Sequence, residues 1–396
     1  MRKNKIKILR ILNRFNIGGP IYNATYLTKY INKEKFTTLL IGGICEKHEK
    51  SAKYILKNEN VDFIELKYMK RAISPIYDFF SLLKITYIIY KFRPDIIHTH
   101  AAKAGLIGRI SSLFYYKKIK IVHTYHGNVF QGYFTGFINK IILIIERFLA
   151  RKSTKIIAIS KLQKKELVDD FSICEKNKIQ IIPLGFDLAR FSHNLNYKRK
   201  KIRSEFQISN NEILITIIGR VVPIKNQKFF LDVFNYCKIN SNIPIKGFVI
   251  GDGPDINGLM KHAKDLGLSY NYKIIKKPYD VFFCSWRKNV DYFLSASDIV
   301  ALTSKNEGTP VSIIESMASG TASISTNVGG VSDIIENEVS GIIAPNNVKE
   351  FGDALLKIIS NENLRKKIGK NGKKKVLSLY NYNVLVKNTE KLYESL

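Results

Sequence analysis

The segment Asn306–Gly320 has the residue types of an anion-binding helix start, directly after the apolar run Ile299–Leu302. Thr309 belongs to a residue type that caps helices, and Pro310 suits the first helical position. Gly320 is typical of the residue that follows a helix. The first amides of such a helix lack acceptors within it and face outward at the positive end of its dipole. These amides belong to Val311, Ser312 and Ile313, and we expect them to form a phosphate-binding site.

Two glutamates frame this predicted helix start. Glu307 precedes the helix and Glu315 lies inside it. A carboxylate accepts hydrogen bonds from neighbouring hydroxyls, so Glu315 would suit a ribose and Glu307, at the mouth, a sugar. An ordinary capped helix with solvated glutamates is the alternative interpretation of the same residues.

A second set of candidate ligands, Gly219–Gln227, closes and follows the apolar run Ile213–Ile218. Glycine permits close backbone approach, Arg220 offers a two-pronged donor for phosphate, and Lys225 adds a point charge. The alternative is that both are simply two more cations in a basic protein.

A third candidate lies near the beginning of the chain, where Gly19 and Pro20 follow the first apolar run. Gly19 as a cap and Pro20 as the first helical residue predict another anion-friendly helix start. The segment lacks the G-x-G-x-x-G spacing of dinucleotide sites, and a structural turn is equally compatible with it.

Histidines end two predicted strands, in His98–His100 and His123–His126. His126, beside Gly127, has the position expected of a site histidine. Histidines at such positions more commonly have a packing or capping role. A metal site at His98 and His100 is disfavoured because no carboxylate lies nearby in sequence.

These candidates follow short apolar runs that alternate with helical patterns along the whole chain. The alternation predicts strand–helix–strand units and therefore mostly parallel sheets covered on both faces. In such sheets ligands bind beyond the carboxyl ends of the strands, which is where the candidates lie. The predicted strands are Ile6–Leu12, Thr37–Ile41, Asp62–Glu65, Asp95–Thr99, Ile119–Thr124, Lys155–Ile159, Ile213–Gly219, Ile245–Ile250, Lys273–Ile275, Ile299–Leu302, Ala322–Ser325 and Gly341–Ala344.

The alternation breaks at the polar, basic stretch His193–Arg203, which has few apolar residues to tie it to a core. We therefore predict an α/β protein with two Rossmann-like, doubly wound domains, residues 1–195 and 196–379, that face a central cleft. Phosphate binders and hydroxyl binders on both walls of one cleft would suit a nucleoside diphosphate linked to a sugar.

Composition narrows the class of protein. The chain has 396 residues, and 45% hydrophobic with 11% aromatic residues exclude a disordered chain. Four cysteines lie far apart without a C-x-x-C pair, which disfavours a zinc site and a disulfide scaffold and favours a reducing compartment. No secretory signal and no apolar window of spanning length is recognisable, so a cytoplasmic protein is expected.

The excess of basic over acidic residues requires an explanation. Lys and Arg number 64 against 33 Asp and Glu, a formal net charge of +31. Nucleic acid, an anionic membrane surface and compositional drift are the three explanations. Nucleic acid is disfavoured because interleaved aromatic platforms and a recognised module are lacking. The segments Lys67–Arg71 and Phe137–Leu149 combine cations with large apolar residues and are candidate membrane contacts, although a core-facing helix also explains the second.

Taken together, the motifs resemble glycosyltransferase family 4, the retaining enzymes of the GT-B fold. The resemblance covers nearly the whole chain, in the family's order, through Gly18–Pro20, His123–Gly127, Ile157–Ser160, Ile182–Asp187, Gly219–Lys225, Gly251–Pro254 and the Glu307/Glu315 pair. The stretch His98–Gly105 resembles a bacterial branch that builds surface polysaccharides. Leu184 and Asn226 depart from the family pattern, which has asparagine and glycine at these positions.

The resemblance implies a role for each matching residue on the donor side. Arg220 and Lys225 would hold the donor diphosphate, Glu315 the ribose and Glu307 the transferred sugar. Trp286 and Arg287 would neighbour the base. Gly19 and the amides of Val311 and Ser312 would contact phosphate or sugar.

Two further roles concern the first domain. His126 would lie beside the anomeric centre as an electrostatic or hydrogen-bonding helper. The final helix, about residues 380–396, would cross back and pack on the first domain.

The implied reaction is the retaining transfer of a hexose-type sugar from a nucleotide sugar, most commonly a UDP-sugar. The acceptor would be a saccharide or a polyprenyl-linked saccharide in cell-surface polysaccharide biosynthesis. Cations and the helix start would stabilise the leaving diphosphate without a metal or cofactor, in keeping with the lack of an Asp-x-Asp motif at a strand end. The alternatives are a non-hydrolysing nucleotide-sugar epimerase of the same fold and, in another class, a basic nucleic-acid-binding protein.

Overall fold

The computed structural model describes residues 5–16, 18–46, 49, 51–127, 136–275 and 278–396. The chain divides into two compact units. The first contains Met1–Phe186 and Tyr380–Leu396, and the second contains Asp187–Leu379. Each unit has its own seven-stranded sheet, in which every pairing of neighbouring strands is parallel. The predicted α/β class with two Rossmann-like sheets is confirmed.

The strands follow the predicted apolar runs closely. Those of the first unit are β1 (Ile6–Arg14), β2 (Phe36–Gly43), β3 (Phe63–Leu66), β4 (Ile96–His100), β5 (Lys120–Thr124), β6 (Lys155–Ala158) and β7 (Ile179–Ile181). Those of the second are β8 (Ile213–Ile218), β9 (Ile245–Ile250), β10 (Tyr270–Tyr272), β11 (Val281–Ser285), β12 (Ile299–Leu302), β13 (Ala322–Thr326) and β14 (Ile342–Ala344).

Helices connect the strands within each unit. They are α1 (Gly19–Lys29), α2 (Lys53–Asn58), α3 (Pro75–Phe92), α4 (Ala102–Leu113), α5 (Gly136–Lys152), α6 (Lys161–Lys165), α7 (Leu195–Glu205), α8 (Gln227–Asn240), α9 (Ile256–Asp265), α10 (Val290–Ala296), α11 (Val311–Ala318), α12 (Val331–Ile334), α13 (Val348–Ser360), α14 (Glu362–Leu379) and α15 (Tyr382–Glu394).

Strand order reverses direction once in each sheet. The first sheet has the order β3-β2-β1-β4-β5-β6-β7 and the second β10-β11-β9-β8-β12-β13-β14. The reversal therefore lies between β1 and β4 in the first sheet, and between β8 and β12 in the second. Connections leave to opposite faces at such a point and open a crevice at the carboxyl ends of the two strands.

The apolar strands are explained by burial on both faces. On β8, Ile215 packs with Phe230 in one core, while the next residue back, Leu214, packs with Phe206 in the core across the sheet. Successive side chains of a strand point to opposite faces, so a strand with two covered faces needs an unbroken apolar run.

One strand prediction is wrong. Lys273–Ile275 lies beyond β10, which ends at Tyr272, and Lys273 has a left-handed φ of 61° that ends the strand. Two further strands were not predicted, namely β7 and β11. Of these, β11 pairs with both β9 and β10 and therefore lies inside the sheet.

The basic stretch predicted as a poorly anchored link is instead the body of α7 in the second unit. Lys198 pairs with Asp291 at 2.8 Å, and Arg203 with Asp298 at 3.1 Å. Ion pairs anchor this helix where apolar residues are few, which is why composition misled us. The units accordingly divide after Phe186, whereas the predicted boundary followed residue 195.

Helix α15 belongs to the first unit and is anchored there by polar and apolar contacts. The Tyr393 hydroxyl is 2.5 Å from His98 Nδ1 and accepts a hydrogen bond from Arg10 Nη2 at 3.2 Å. Leu385 and Leu392 join the core cluster that contains Ile8 of β1.

Candidate active site

The two strands at the reversal point of the second sheet bring two predicted residues together. Lys225 ends a single 3-10 turn, Pro223–Lys225, after β8, and Glu307 follows β12. Their side chains form an ion pair in which Nζ and Oε1 are 2.5 Å apart. Glu307 Oε1 also accepts a hydrogen bond from Ser304 Oγ at 2.6 Å. Residues 82 positions apart thus meet at the strand ends.

Glu307 is held on one edge only. Oε1 accepts hydrogen bonds from both Lys225 and Ser304, and Oε2 has no hydrogen bond or ion pair with the described residues. The side chain is 9% exposed, against 29% for Lys225. A fixed carboxylate with one unbonded oxygen is suited to accept a hydrogen bond from a ligand hydroxyl.

Glycines let the surrounding loops approach this pair. A Cβ on Gly329, which has φ +50°, would lie 1.6 Å from the carbonyl oxygen of Glu307. A Cβ on Gly251, with φ +142°, would lie 1.9 Å from the carbonyl oxygen of Gly219. Any side chain at either position would push the candidate loops apart, because both contacts are with backbone.

Sequence reasoning missed the Gly329–Gly330 pair. Its signal was present, since the two glycines follow the apolar run of β13 as Gly219 follows β8. Gly330 N also donates to Gly308 O at 3.0 Å, which fixes the loop that carries Glu307.

Arg220 extends from the same loop as Lys225 but remains unpaired. Its residue is exposed, and its guanidinium has no side-chain partner within the described ranges. Its backbone carbonyl accepts from Gln227 Nε2 at 2.9 Å, so the loop is fixed while the charge is free.

Helix α11 starts one residue later than predicted. Pro310, with ψ 90°, occupies the cap position, and Val311 is the first helical residue. Thr309 is therefore outside the helix, because the extended ψ of Pro310 breaks the helical path. Gly320, with φ +77°, follows the end of the helix as expected.

The amides of this helix start are not all free. Ile313 N donates to Pro310 O at 3.2 Å, which corrects the prediction of three free amides. Val311 and Ser312 are the first two helical residues and have no intrahelical acceptor.

Glu315 lies inside α11 with its side chain 20% exposed. Burial is the main cause that raises the pKa of this carboxyl; Arg190 opposes the rise and Asp291 adds to it, and the resulting pKa is about 7. Arg190 Nη2 lies 3.7 Å from Oε1. The group therefore changes charge near neutral pH, unlike an ordinary surface glutamate.

A cavity of about 580 Å³ lies at the reversal point of the first sheet. Residues after β1, β4 and β5 contribute, among them Gly18, Pro20, His100 and His126. Gly19 is the first residue of α1 and Gly18 its cap, one position earlier than predicted. A Cβ on Gly19 would meet only Leu184, at 3.9 Å, so packing within the chain does not require glycine there.

His126 is a neutral group in this cavity. Its Nε2 is 2.8 Å from His100 Nδ1, and its Nδ1 has no partner among the described residues. Burial lowers the pKa of His126 to about 3. The imidazole is therefore uncharged at physiological pH and can act only as a hydrogen-bond donor or acceptor.

The other three histidines of the predicted strand ends are buried. His98 contacts Tyr393 and Thr124, and His123 contacts Thr99. Burial holds the pKa of His98, His100 and His123 well below the usual value. Among the residues that the structure describes, no cluster of three or more His, Cys, Asp or Glu side chains is arranged to hold a metal ion.

The cavity also contains cations that sequence reasoning did not place there. Lys103 pairs with Asp78 at 2.6 Å, and Arg14 pairs with Glu49 at 2.6 Å. Arg71 also lines the cavity and has no ion-pair partner in the described part of the chain. The predicted stretch His98–Gly105 contained Lys103, whereas Arg14 and Arg71 carry no local signal.

Known proteins resolve the class of this molecule. Residues 24–190 match the family "Glycosyltransferase Family 4", and residues 198–375 match "Glycosyl transferases group 1". A galactosyltransferase of Escherichia coli, "UDP-Gal:alpha-D-GlcNAc-diphosphoundecaprenol alpha-1,3-galactosyltransferase", is 30% identical over 81% of this chain and 80% of its own. The chain is a family 4 glycosyltransferase.

A second curated relative matches most of the length of this glycosyltransferase, and a solved structure shares its fold. The "Capsular polysaccharide biosynthesis glycosyltransferase CapM" of Staphylococcus aureus is 26% identical over 83% of both chains. The crystal structure of HepE from Anabaena, solved with UDP, superposes with a TM-score of 0.82 at 18% identity over 99% of this chain and all of that one. The predicted family and the GT-B fold are confirmed.

The glycosyltransferase thus has one candidate site in each unit. In the second unit, the structure unites Lys225 with Glu307 and puts Arg220 in the same loop. In the first unit, it puts His126 and the start of α1 around one cavity.

Within the described residues, no helix is both long and apolar enough to cross a membrane.

Proposed function

We propose that the enzyme transfers a hexose-type sugar from a UDP-sugar to a saccharide carried on a polyprenyl diphosphate. The observation that carries the donor half is the Lys225–Glu307 pair at the reversal point of the second sheet. The relative whose printed name specifies UDP-Gal and a diphosphoundecaprenol-linked GlcNAc supports both substrates. A structure of the same fold was also solved with UDP.

In this proposal the second unit stabilises the leaving diphosphate. Negative charge develops on phosphate oxygen as the glycosidic bond breaks. Arg220 and Lys225 supply positive charge, and the free amides of Val311 and Ser312 supply hydrogen-bond donors at the start of α11. Because these groups would themselves stabilise the developing negative charge, the proposed mechanism needs neither a metal ion nor a cofactor.

The glutamates would position the two sugars of the donor. Glu307 Oε2 would accept a hydrogen bond from a hydroxyl of the transferred hexose, while Oε1 stays fixed by Lys225 and Ser304. Glu315 would accept the two hydroxyls of the ribose. Binding of hydroxyl donors favours the carboxylate, so the ligand would lower the raised pKa of Glu315. Trp286, whose side chain is exposed, remains the predicted neighbour of the base.

The first unit would contribute a neutral group to the reacting centre. His126 would hydrogen-bond the transferred sugar through Nδ1, and its low pKa excludes a permanent cation there. The proposed stereochemical course is retention, with the acceptor attacking the face that the diphosphate leaves. Gly19 would admit phosphate or sugar close to the backbone, where an added Cβ would meet only Leu184, at 3.9 Å.

The proposal also includes a location. An enzyme with a net charge of +31 and a lipid-linked acceptor would associate with the anionic inner face of the membrane. The cytoplasmic side is where nucleotide sugars and this basic surface would meet.

The deciding experiment uses the purified chain, a panel of UDP-hexoses and a short-chain polyprenyl-diphosphate-linked GlcNAc. The expected result is acceptor-dependent release of UDP and a product one hexose heavier, with the anomeric configuration of the donor by NMR. EDTA should leave the rate unchanged. Epimerisation of the donor without acceptor would replace the proposal with the epimerase alternative, and restoration by Mg²⁺ after EDTA would overturn the metal-free mechanism.

A further inference from the structure

Helix α3 of the first unit exposes an apolar stripe along its whole length. Of its 18 residues, seven are exposed large apolar or aromatic side chains. Five of them are spaced i, i+4, i+7, i+11 and i+14 and therefore share one helix face. This α3 stripe consists of Ile76, Phe80, Leu83, Tyr87 and Tyr90.

The stripe is additional to the face that α3 uses for the core. Ile85, Ile88 and Ile89 are buried and pack in the cluster that contains Ile107 of α4. A helix that covers a sheet usually presents polar residues outward. Helix α13 of the second unit follows this rule and exposes Lys349, Asp353 and Lys357.

The apolar surface continues beyond both ends of the stripe. Near its beginning, the rings of Tyr68 and Phe80 are 5.3 Å apart. At its end, the Tyr90 hydroxyl donates to Phe114 O at 2.8 Å, and Phe114 and Tyr116 are both more than half exposed. Continuous exposed apolar surface of this kind marks an interaction site.

Positive charge flanks the stripe. Residues 67–93 contain six Lys and Arg and one acidic residue, Asp78, which is paired with Lys103. Lys70 Nζ lies 3.9 Å from the ring centre of Tyr77, and Lys84 Nζ lies 5.1 Å from that of Tyr87. Both ammonium groups therefore lie over aromatic rings, and long basic side chains that cover apolar surface in this way are favoured at membrane interfaces.

We infer that the α3 stripe is the surface by which this enzyme binds an anionic lipid bilayer. At about 1.5 Å per residue the helix extends for about 27 Å, long enough to lie in the plane of the headgroups. Apolar and aromatic side chains would enter the interface while the flanking lysines contact anionic headgroups. A second copy of the chain is a poorer occupant, because facing stripes would bring the two sets of lysines together.

The stripe begins beside the cavity that contains His126. Ile73 and Asp78 line that cavity, and Ile76 lies between them in sequence. A lipid-linked acceptor in the bound bilayer would therefore have a short apolar route into the cavity. This inference rests on the proposed membrane association and assigns it to one helix.

The test is co-sedimentation of the full chain with vesicles of phosphatidylcholine, with and without 30% phosphatidylglycerol, at low and high salt. The triple variant I76S/F80S/L83S removes the first three residues of the stripe and leaves the buried face intact. Its matched control, I141S/I144S/F148S, removes three exposed apolar residues of α5, the other candidate membrane helix. We expect about a tenfold weaker partition of the α3 variant into anionic vesicles, and little change in the α5 variant.

A second measurement reports depth and does not depend on affinity. The chain has one tryptophan, Trp286, so a W286F background allows a single probe at L83W or, as the control, at I144W. Brominated lipids should quench the probe at position 83 more strongly than the probe at position 144. The α3 triple variant should still transfer sugar to a water-soluble acceptor at the normal rate.

The outcomes separate the inference from the proposed function. Normal vesicle binding by the α3 variant, with loss in the α5 variant, would overturn the stripe and leave membrane association standing. No binding of the unmodified protein to anionic vesicles at low salt would overturn both. A dimer in sedimentation velocity that only the α3 variant abolishes, without vesicle binding, would assign the stripe to a second copy. Loss of transfer to the soluble acceptor would place α3 in the acceptor site instead.

Discussion

The candidate sites of the two units differ in the charge of their central groups, although both lie at the reversal point of a parallel sheet. In the second unit, Lys225 and Glu307 form an ion pair, Arg220 carries an unpaired charge, and Glu315 titrates near neutral pH. In the first unit, the central group is the neutral His126, and the cations Arg14, Lys103 and Arg71 lie elsewhere on the wall of its cavity. The same topology therefore supports two environments, because the strand ends fix where a group lies and the loop residues fix its charge.

The difference matches the chemistry proposed for each side. The leaving diphosphate needs cations and amides, whereas the transferred sugar needs a neutral hydrogen-bonding group beside it. The predictions that follow test this contrast between the charged groups of the second unit and the neutral His126 of the first, beginning with the largest effect.

The largest effect is expected for Glu307→Gln. The amide keeps the shape but cannot hold Lys225 or accept a sugar hydroxyl as a carboxylate does. We expect the turnover number to fall about 10²–10³-fold, similar to the loss of one preorganised polar group in an active site. Steady-state kinetics with circular dichroism as a fold check make the measurement. Glu338→Gln, at an exposed ion pair with Lys357, is the control, and near-normal turnover in Glu307→Gln would refute the assignment.

A smaller effect is expected for Arg220→Ala and Lys225→Ala, each measured by calorimetric titration with UDP. Loss of one charge-assisted hydrogen bond to phosphate costs about 1.5–3 kcal/mol, or roughly a 10- to 150-fold weaker affinity. Lys228→Ala, an exposed lysine on α8, should bind UDP normally. Unchanged affinity in both site variants would remove the diphosphate from this loop.

The raised pKa of Glu315 predicts a pH dependence with a defined sign. The folded pKa of about 7 lies above the ordinary value of 4.5, so the folded state holds an extra proton between these values. Stability should fall as pH rises from about 4.5 to 7, and Glu315→Gln should lose this dependence. Affinity for UDP should rise through the same range in the unmodified enzyme because the ribose requires the carboxylate.

Chemical denaturation at pH 5, 6, 7 and 8 and UDP titration at the same values test both statements. Subtracting the Glu315→Gln profile removes the titration of UDP itself. Identical pH profiles for the two proteins would show that Glu315 does not titrate near neutrality.

The smallest effect is expected for substitutions of His126, the neutral group of the first unit. Because the folded pKa of His126 is about 3, well below 6.5, protonation opposes folding. Stability should therefore fall as pH drops below about 6.5, and His126→Gln should reduce that fall. His126→Gln should retain more activity than His126→Ala, by about tenfold, since the amide preserves a hydrogen bond. An inflection in activity near pH 6.5 that disappears in His126→Gln would contradict the neutral role.

Sequence reasoning singled out Lys225 and Glu307 as candidate donor ligands because parallel sheets bind ligands at strand ends, and strand ends can be recognised in the sequence. Lys225 follows β8 and Glu307 follows β12, so each was identified from its own segment. Their 2.5 Å contact was not predictable from either segment, because it depends on β8 and β12 being neighbours in the sheet. The Gly329 contact with Glu307 likewise joins loops from different strands.

Burial defeated local reasoning in two other places. The basic helix α7 was interpreted as a linker because its anchors, Asp291 and Asp298, come about a hundred residues later. The apolar residues of α3 carry no local signal of which ones are exposed, because the packing of the first sheet buries only one face of the helix and leaves the other exposed.

The sequence by itself determined the alternation of strands and helices, the family and the residue types at the strand ends. These depend on local periodicity and spacing, which act over a few residues. The tertiary structure alone decided the pKa of Glu315, the neutrality of His126 and the exposure of the α3 stripe. Charge state and exposure depend on which distant segments exclude water from a side chain, and the order of strands in the sheets sets that exclusion.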